Sequence, residues 1–328
     1  MDLSSFPRLN LVPSPTPLEE LPRFANAIGS RPRIFIKRDD ATTVGLGGNK
    51  VRKLDFAMAE AVQGEADVII TTAGVQSNHC RQTLAIARRL GMDCHLVLTG
   101  DEPPIRQGNL LIFSIMGAHL HFIGSKDSPK DAMESIAAKL RQGGCRPHII
   151  PIGASTPVGA LGYVESTREA VIQAEALSVG FQHAFITCGS AGTQAGVEVG
   201  VRTFDRPMKV SGISVLYDAE TQKSAVSDIA NGTFELLGMD QQISPGDITV
   251  YDQYYGGVYG VPTTAGNDAI RLLARTEGIV TDPVYTGKAL SGMIDLLQSG
   301  AYDDAEAVLF FHTGGVPAIF AMAEHFQE

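Results

Sequence analysis

The feature that most constrains this chain is a regular alternation of short, wholly apolar runs with longer amphipathic stretches. In the first half the apolar runs are RIFIK (33–37), DVIITTAG (67–74), CHLVLTG (94–100), AHLHFIG (118–124) and PHIIPIG (147–153). In the second half they are AFITCGS (184–190), VSGISVL (210–216), ITVYD (248–252) and AVLFFHTGG (307–315). Between them lie helical patterns such as VRKLDFAMAEAVQ (51–63), QTLAIARRLG (82–91) and KDAMESIAAKLRQGG (130–144). Strands apolar on both faces need helices above and below them, which predicts parallel sheets in an α/β fold. At 328 residues the chain exceeds one average domain and suits two such lobes. No repeat of 20–50 residues and no low-complexity linker interrupts the pattern.

Charge and cysteine usage narrow the function classes. The net charge of -10 is spread without any block of five like charges, which argues against a nucleic-acid partner. No run of 18 apolar residues predicts a membrane span, and MDLSSFPRLN has neither the basic nor the apolar part of a signal peptide. Cys80, Cys94, Cys145 and Cys188 show neither zinc spacing nor a disulfide framework, so a reduced, cytoplasmic setting is expected. His119 and His121 in HLH read as strand residues on one face rather than metal ligands.

Chemistry is concentrated in glycine-rich segments at strand ends, where ligands bind in open α/β sheets. GLGGNKVRK (45–53) lets the backbone pass close to a flat ligand and presents Lys50 at once. A turn ahead of a surface lysine would look similar, but a Walker loop would not, because Val51 stands where Ser or Thr is needed. TAGVQSNHCRQ (72–82) crowds Gln76, Ser77, Asn78 and His79 at a helix start, where Ser77 is a natural N-cap and free amides bind an anion. Plain capping explains two of those four polar residues and not the cluster. TCGSAGTQAG (187–196) offers Gly189, Ser190, Ala191, Gly192 and Thr193 as a phosphate cradle; its glycine spacing is not the dinucleotide GxGxxG. YGGVYGVP (255–262), DPVYTGKA (282–289) and FFHTGGVPA (310–318) add Tyr259, Tyr285 and Thr313 in framed loops, positions that packing alone also favours.

Taken in order, GGNKVRK, QSNHCRQ, GSAGT, VYGVP, DPVYTGK and HTGG resemble the family of D-cysteine desulfhydrase and 1-aminocyclopropane-1-carboxylate deaminase. The resemblance runs from FPRLNLVPSPTPLEELPRF to HTGGVPAIFA. It implies fold type II of the pyridoxal-phosphate enzymes, tryptophan synthase β-like, with two three-layer domains built on mostly parallel sheets. It implies a large cofactor-binding domain of residues 1–48 plus 163–328, a small domain of 49–162, pyridoxal 5'-phosphate as cofactor, and a homodimer. Lys50 matches the lysine that carries the cofactor covalently, and Lys53 a basic residue that helps hold its phosphate. Gly189, Ser190, Ala191, Gly192 and Thr193 match the phosphate cup. Asn78 matches the residue at the phenolic oxygen. Ser77 and His79 match the substrate-carboxylate site. Tyr259 and Tyr285 match the active-site tyrosines, and Thr286 and Thr313 flank the pyridine nitrogen.

One residue departs from the deaminase pattern, which resembles DPVYEGK where this chain reads DPVYTGK. A carboxylate at that place would keep the pyridine nitrogen protonated and the ring a strong electron sink. Thr286 cannot, which favours expulsion of a good leaving group over opening of a cyclopropane. The expected reaction is α,β-elimination on a small β-substituted amino acid, with D-cysteine giving pyruvate, ammonia and sulfide. Lys50 is the expected general base, and Tyr259 or Tyr285 the group that meets the departing substituent. An L-cysteate sulfo-lyase has the same motifs, though a sulfonate wants more cations than the motifs supply. A deaminase is third, and a catalytically dead small-molecule binder is the non-enzyme alternative.

Overall fold

The computed structural model describes residues 3–327. Its strands are β1 (Leu18–Glu20), β2 (Arg33–Arg38), β3 (Val68–Gly74), β4 (Asp93–Thr99), β5 (His119–Ile123), β6 (Pro147–Ile150), β7 (Phe181–Cys188), β8 (Lys209–Ser214), β9 (Thr249–Tyr251) and β10 (Ala307–His312). Its α-helices are α1 (Pro22–Ile28), α2 (Lys50–Gln63), α3 (Asn78–Arg89), α4 (Gly108–Ile115), α5 (Pro129–Gln142), α6 (Pro157–Ala176), α7 (Gly192–Thr203), α8 (Ala219–Leu236), α9 (Thr264–Glu277) and α10 (Thr286–Gln298).

The strands form two sheets, a six-stranded one in the order β1-β2-β10-β7-β8-β9 and a four-stranded one in the order β5-β4-β3-β6. Every pairing is parallel except β1 with β2. Both sheets are covered on both faces. Val51, Leu54, Met58, Leu84 and Phe113 pack α2, α3 and α4 on one face of the small sheet, while Met133 and Ala137 of α5 pack on the other. The large sheet carries α1, α9 and α10 on one side and α6, α7 and α8 on the other. The apolar strands are thus buried for the reason their composition implies.

The three-residue β1 escapes sequence reading because LEE has no apolar alternation; backbone pairing to β2 alone defines it. Helix α3 begins four residues before its apolar pattern does, because Ser77 accepts a hydrogen bond from Cys80 N and caps the polar turn. Ser128, Thr156, Asp218 and Thr263 cap α5, α6, α8 and α9 in the same way. The expected junction at 48/49 lies just ahead of α2, and that at 162/163 lies inside the unbroken α6. His119 and His121 share a face of β5 and pack with His95 of β4, His95 Nδ1 lying 2.9 Å from His121 Nε2. Among the described residues no group of three His, Cys, Asp or Glu side chains has the geometry to hold a metal ion. Nor is any helix long and apolar enough to cross a membrane.

One buried polar cluster ties α2, which packs on the small sheet, to Asp39 after β2 and to Glu169 of α6. The Arg52 guanidinium on α2 donates to Asp39 Oδ1 (2.9 Å) and to both Glu169 oxygens (3.0 and 2.8 Å). Lys37 Nζ donates to Glu169 Oε2 (3.0 Å), and Tyr163 OH to Asp39 Oδ2 (2.6 Å). Burial works against the Glu169 charge, but Arg52 and Lys37 outweigh it and hold its carboxyl down at about 2, against an ordinary 4.5. Removing one partner of such a set leaves uncompensated buried charge, at a cost of about 3–5 kcal/mol. Glu169→Gln should therefore lower the urea midpoint strongly at pH 7. A depressed carboxyl contributes stability above its unfolded pKa and loses it as pH falls through the folded one. The gap between wild type and Glu169→Gln should accordingly shrink between pH 4.5 and about 2. Equal midpoints at pH 7 would show that the cluster does not anchor α2.

Candidate active site

A cavity of about 760 Å³ lies where β3 and β7 end, lined by Thr72, Ala73 and Gly74 from one sheet and by Thr187 and Gly189 from the other. Four helices, α2, α3, α7 and α10, begin around it, each at or beside a residue lining its wall, namely Lys50, Ser77, Ala191 and Tyr285. Helix N-termini carry unpaired N–H groups and a positive partial charge, so their convergence makes an anion-binding basin.

Lys50 opens α2 and lines the cavity. The loop before it approaches its neighbours too closely for any side chain. A Cβ on Gly47 would lie 2.2 Å from the Asp40 and Thr42 carbonyl oxygens, and one on Gly48 2.6 Å from Gln82 Nε2. Asn49 ties this loop across the site: its backbone N–H donates to Thr313 O (3.0 Å) and its Nδ2 to Thr193 Oγ1 (3.0 Å). Burial lowers the Lys50 amine from the usual 10.5 to about 8, with the Cys188 thiol opposing. Lys53, one turn on, is pushed well below the usual lysine range by burial and then by the Lys50 charge.

Lys53 Nζ donates to Ser155 Oγ (2.7 Å), and Ser155 Oγ donates to Ser190 Oγ (2.8 Å). A Cβ on Gly192 would meet Lys53 Nζ at 2.8 Å and Ser155 Oγ at 2.9 Å, so only glycine leaves this cradle open. Ala191 takes φ 64° to turn the chain into α7. Gly189, Ser190, Ala191 and Thr193 all line the cavity. A lysine, two hydroxyls and the first-turn amides of a helix are the donor set a phosphate needs. Thr187 Oγ1, also in the wall, is buried without a hydrogen-bond partner. These residues fit a phosphorylated ring cofactor bound through Lys50.

Across the cavity, Ser77 Oγ accepts from Cys80 N (3.1 Å), which leaves its proton to donate inward. Asn78 is held in one orientation because its Oδ1 accepts from Asn109 Nδ2 (2.9 Å) and Arg81 NH2 (3.4 Å), turning its NH₂ to the cavity. Tyr285 lies against Gly189 at the end of β7, and Tyr259 over Gly74 at the end of β3, their Cε1 atoms 4.0 and 3.5 Å from where a Cβ would stand. Their hydroxyls touch, with ring centroids 6.1 Å apart and planes at 66°. The pair spans the gap between the two sheets.

Two expectations from sequence change here. His79 lines the cavity but cannot donate to a carboxylate there. The Thr71 hydroxyl proton goes to Ile150 O (2.7 Å), so His79 Nε2 must carry the proton in its 2.7 Å contact with Thr71. That leaves Nδ1 bare, facing Thr83 Oγ1 at 3.4 Å, and burial keeps the ring neutral. His79 therefore braces the Ser77 turn from behind. Thr286, by contrast, does not line the cavity. Its hydroxyl accepts from Asp282 N (2.9 Å) and donates to Asp282 Oδ1 (2.6 Å), and Asp282 also receives the amides of Val284, Tyr285 and Thr286. Thr313 is the threonine in the wall. Sequence reading assigned no role to Thr187, Ser155, Asn109 or Arg81. Thr187 and Arg81 lie inside the motifs quoted above, Ser155 follows an apolar strand in the small residues of GASTP, and Asn109 carried no local signal.

Known proteins resemble this chain over nearly its whole length. A family described as "Pyridoxal-phosphate dependent enzyme" matches residues 9–314. A D-cysteine desulfhydrase of Salmonella typhi is 40% identical over 328 residues, covering 98% of each chain, and one of Salmonella newport is 39% identical over the same span. The crystal structure of an ACC deaminase homologue superposes with a TM-score of 0.90 at 38% identity, over 98% of this chain and 96% of that one. With Lys50 at the cavity floor, a phosphate cradle beside it and the match spanning nearly the whole sequence, this chain belongs to the pyridoxal-phosphate dependent enzymes.

Proposed function

We propose that this enzyme removes the β-substituent of a small amino acid by α,β-elimination, with D-cysteine as the substrate that the site supports best. The observation that carries the reading is the Tyr259–Tyr285 hydroxyl pair, which stands in the same cavity as Lys50 at the end of β3. The nearly full-length similarity to D-cysteine desulfhydrases supports the same substrate. Bound pyridoxal phosphate supplies the electron sink that makes a Cα proton removable. The Lys50 amine, lowered to about 8 by burial, takes that proton near neutral pH. The Ser77 hydroxyl and the first-turn amides of α3 hold the substrate carboxylate, and Asn78 aims its NH₂ at the cofactor's phenolic oxygen. Tyr259, backed by Tyr285, gives the departing sulfur its proton.

The wall of the cavity argues between the alternatives. Lys50 and Lys130 are its only lysines among the described residues, and no arginine lines it, whereas a sulfonate leaving group asks for cations. The hydroxyl of Thr313 is a neutral partner for the pyridine nitrogen, which suits a good leaving group better than an unactivated ring carbon. The same neutral-partner argument that Thr286 suggested from sequence thus rests on Thr313. We also infer a homodimer. Helix α4 packs against the 316–321 segment, and together they expose Leu111 (45%), Ile115 (74%) and Phe320 (68%), an apolar face that a second copy would cover. With Cys80, Cys94, Cys145 and Cys188 all unpaired, we place the enzyme in the cytoplasm.

The purified enzyme should release pyruvate from D-cysteine and little 2-oxobutyrate from 1-aminocyclopropane-1-carboxylate; efficient 2-oxobutyrate release would reverse the assignment. Lys50→Ala should abolish both turnover and the visible absorbance of the bound cofactor. Ser77→Ala should keep the cofactor but raise the apparent KM about tenfold, as expected for one charge-assisted hydrogen bond worth about 1.5–3 kcal/mol. Loss of cofactor with KM unchanged would place Ser77 elsewhere. Because only the neutral amine attacks an aldehyde, uptake of pyridoxal phosphate by the stripped protein should speed up as pH rises and level off above about 8. Stopped-flow absorbance measures this directly, and a profile still climbing at the ordinary lysine value would contradict a desolvated Lys50.

A further inference from the structure

Tyr259 and Tyr285 come from separate stretches of the chain, yet both are tied to α10. Tyr285 stands at the start of that helix, its backbone N–H donating to Asp282 Oδ2 (2.9 Å). Tyr259 lies in the loop between β9 and α9, where Gly257 and Gly260 take φ 78° and 81° and nothing stands within 4 Å of where a Cβ would be. Such a stretch does not fix a tyrosine hydroxyl by its own conformational preference. Its hold comes from α10. Lys288 Nζ, buried on the first turn of α10, donates to Tyr255 O (2.7 Å). Two turns further along the helix, Tyr254 OH donates to Asp295 Oδ2 (2.7 Å), and a Cβ on Gly292 would lie 2.9 Å from the Tyr254 ring. Burial lowers the Lys288 amine to about 8, with the Asp282 carboxylate opposing. This amine is not in the cavity wall, and no step proposed above uses it. Burying it costs solvation, and its hydrogen bond goes to a backbone carbonyl four residues before Tyr259.

We propose that Lys288 is a positioning residue for the elimination: through Tyr255 O it holds the glycine loop so that the Tyr259 hydroxyl meets both Tyr285 and the departing sulfur. This rests on the elimination reading above. Lys50 takes the Cα proton, the Cβ–S bond breaks with its electron pair passing to sulfur, and sulfur takes the Tyr259 proton, which solvent restores. One water then converts the three-carbon remainder to pyruvate and ammonium, so no oxidant or reductant is needed. A hydroxyl displaced by a fraction of an ångström transfers its proton poorly, while Ser77 and the amides of α3 still hold the substrate carboxylate. The demand is specific to the leaving group. Sulfur leaves with the help of a proton, whereas chloride leaves as a stable anion and needs none. Lys288 therefore serves the first kind of substrate and is idle with the second.

The test compares wild-type holoenzyme with Lys288→Met, which keeps an unbranched side chain and loses the donor, by pyruvate release from D-cysteine and from β-chloro-D-alanine. The variant should lower kcat/KM for D-cysteine about tenfold or more and leave β-chloro-D-alanine within about threefold. In a Tyr259→Phe background the same substitution should change D-cysteine turnover by less than about twofold, because a residue that acts through Tyr259 then has nothing left to place. Amide hydrogen exchange of the holoenzyme reads the hold on the loop without turnover: residues 255–262 should exchange about tenfold faster in Lys288→Met, with α7 unchanged. Should Lys288→Met fail to fold, Tyr254→Phe removes the second tie of the same loop and should lower D-cysteine turnover about threefold with chloride release unchanged. Equal losses on both substrates, an undiminished effect in the Tyr259→Phe background, or unchanged exchange over 255–262 overturns the proposal and leaves the elimination reading standing. No pyruvate from either substrate with the wild type overturns the elimination reading itself, and the role of Lys288 with it.

Discussion

Everything at the site hangs on how α2 is held, and α2 is held by a buried guanidinium. Arg52 is 2% exposed and reaches Asp39, which follows β2, and Glu169 in the middle of α6. Lys50 and Lys53 flank it in sequence, so the bonds that fix Arg52 fix the rotation of the helix on which both lysines ride. A hydrophobic contact could not do this, because apolar packing tolerates small rotations that a bidentate carboxylate pair does not. Burying two carboxylates and two cations is expensive in itself. Its use here is geometric. It sets the register of the helix that carries Lys50 and Lys53, while the packing of α2 on the small sheet supplies the stability.

That geometry places two lysines in a desolvated basin, and their mutual repulsion is part of the design. Lys53 faces Ser155, Ser190 and the start of α7, where an anion would restore its charge. Lys50 faces the open cavity and keeps an amine lowered to about 8. The two lysines therefore divide by environment: Lys53 is held by the hydroxyls of the cradle, and Lys50 faces the open cavity, as the proposed roles of binding and reaction require. The N-termini of α2, α3, α7 and α10 add partial positive charge around both anionic ends of the expected ligands. This keeps Lys50 able to shed its proton without a carboxylate base beside it.

Much of this was legible in sequence because it depends on local rules. Apolar runs named nine of the ten strands, and glycine clusters named the loops that approach the ligand. What was illegible depends on pairs distant in the chain. The orientation of Asn78 is set by Asn109 from α4, 31 residues on, and no local pattern announces that contact. Ser155 joins the phosphate cradle only because β6 ends beside β3 and so brings its loop to Lys53. The two misplaced roles share one cause. His79 and Thr286 lie inside the right motifs, but a motif does not say where a hydroxyl or ring proton goes. Thr71 and Asp282 decide that, and each does so through a hydrogen bond visible only in three dimensions.

The Thr286 case bears on how reaction type is written into such a site. Asp282 is buried beside it, and burial pushes its carboxyl up while the Thr286 hydroxyl and three backbone amides pull it down. A carboxylate thus stands buried beside the start of α10, yet its lone pairs are spent on that turn. Gly315 packs against it so tightly that a Cβ there would lie 2.6 Å from Asp282 Cγ. The acid is walled off, and Thr313 is what faces the cavity. A longer acid at position 286 would either displace the Asp282 turn or reach past it into the site. The single threonine completes the Asp282 loop, while Thr313 is the threonine that the cavity meets. A substitution at position 286 therefore cannot be made without rebuilding the turn that begins α10.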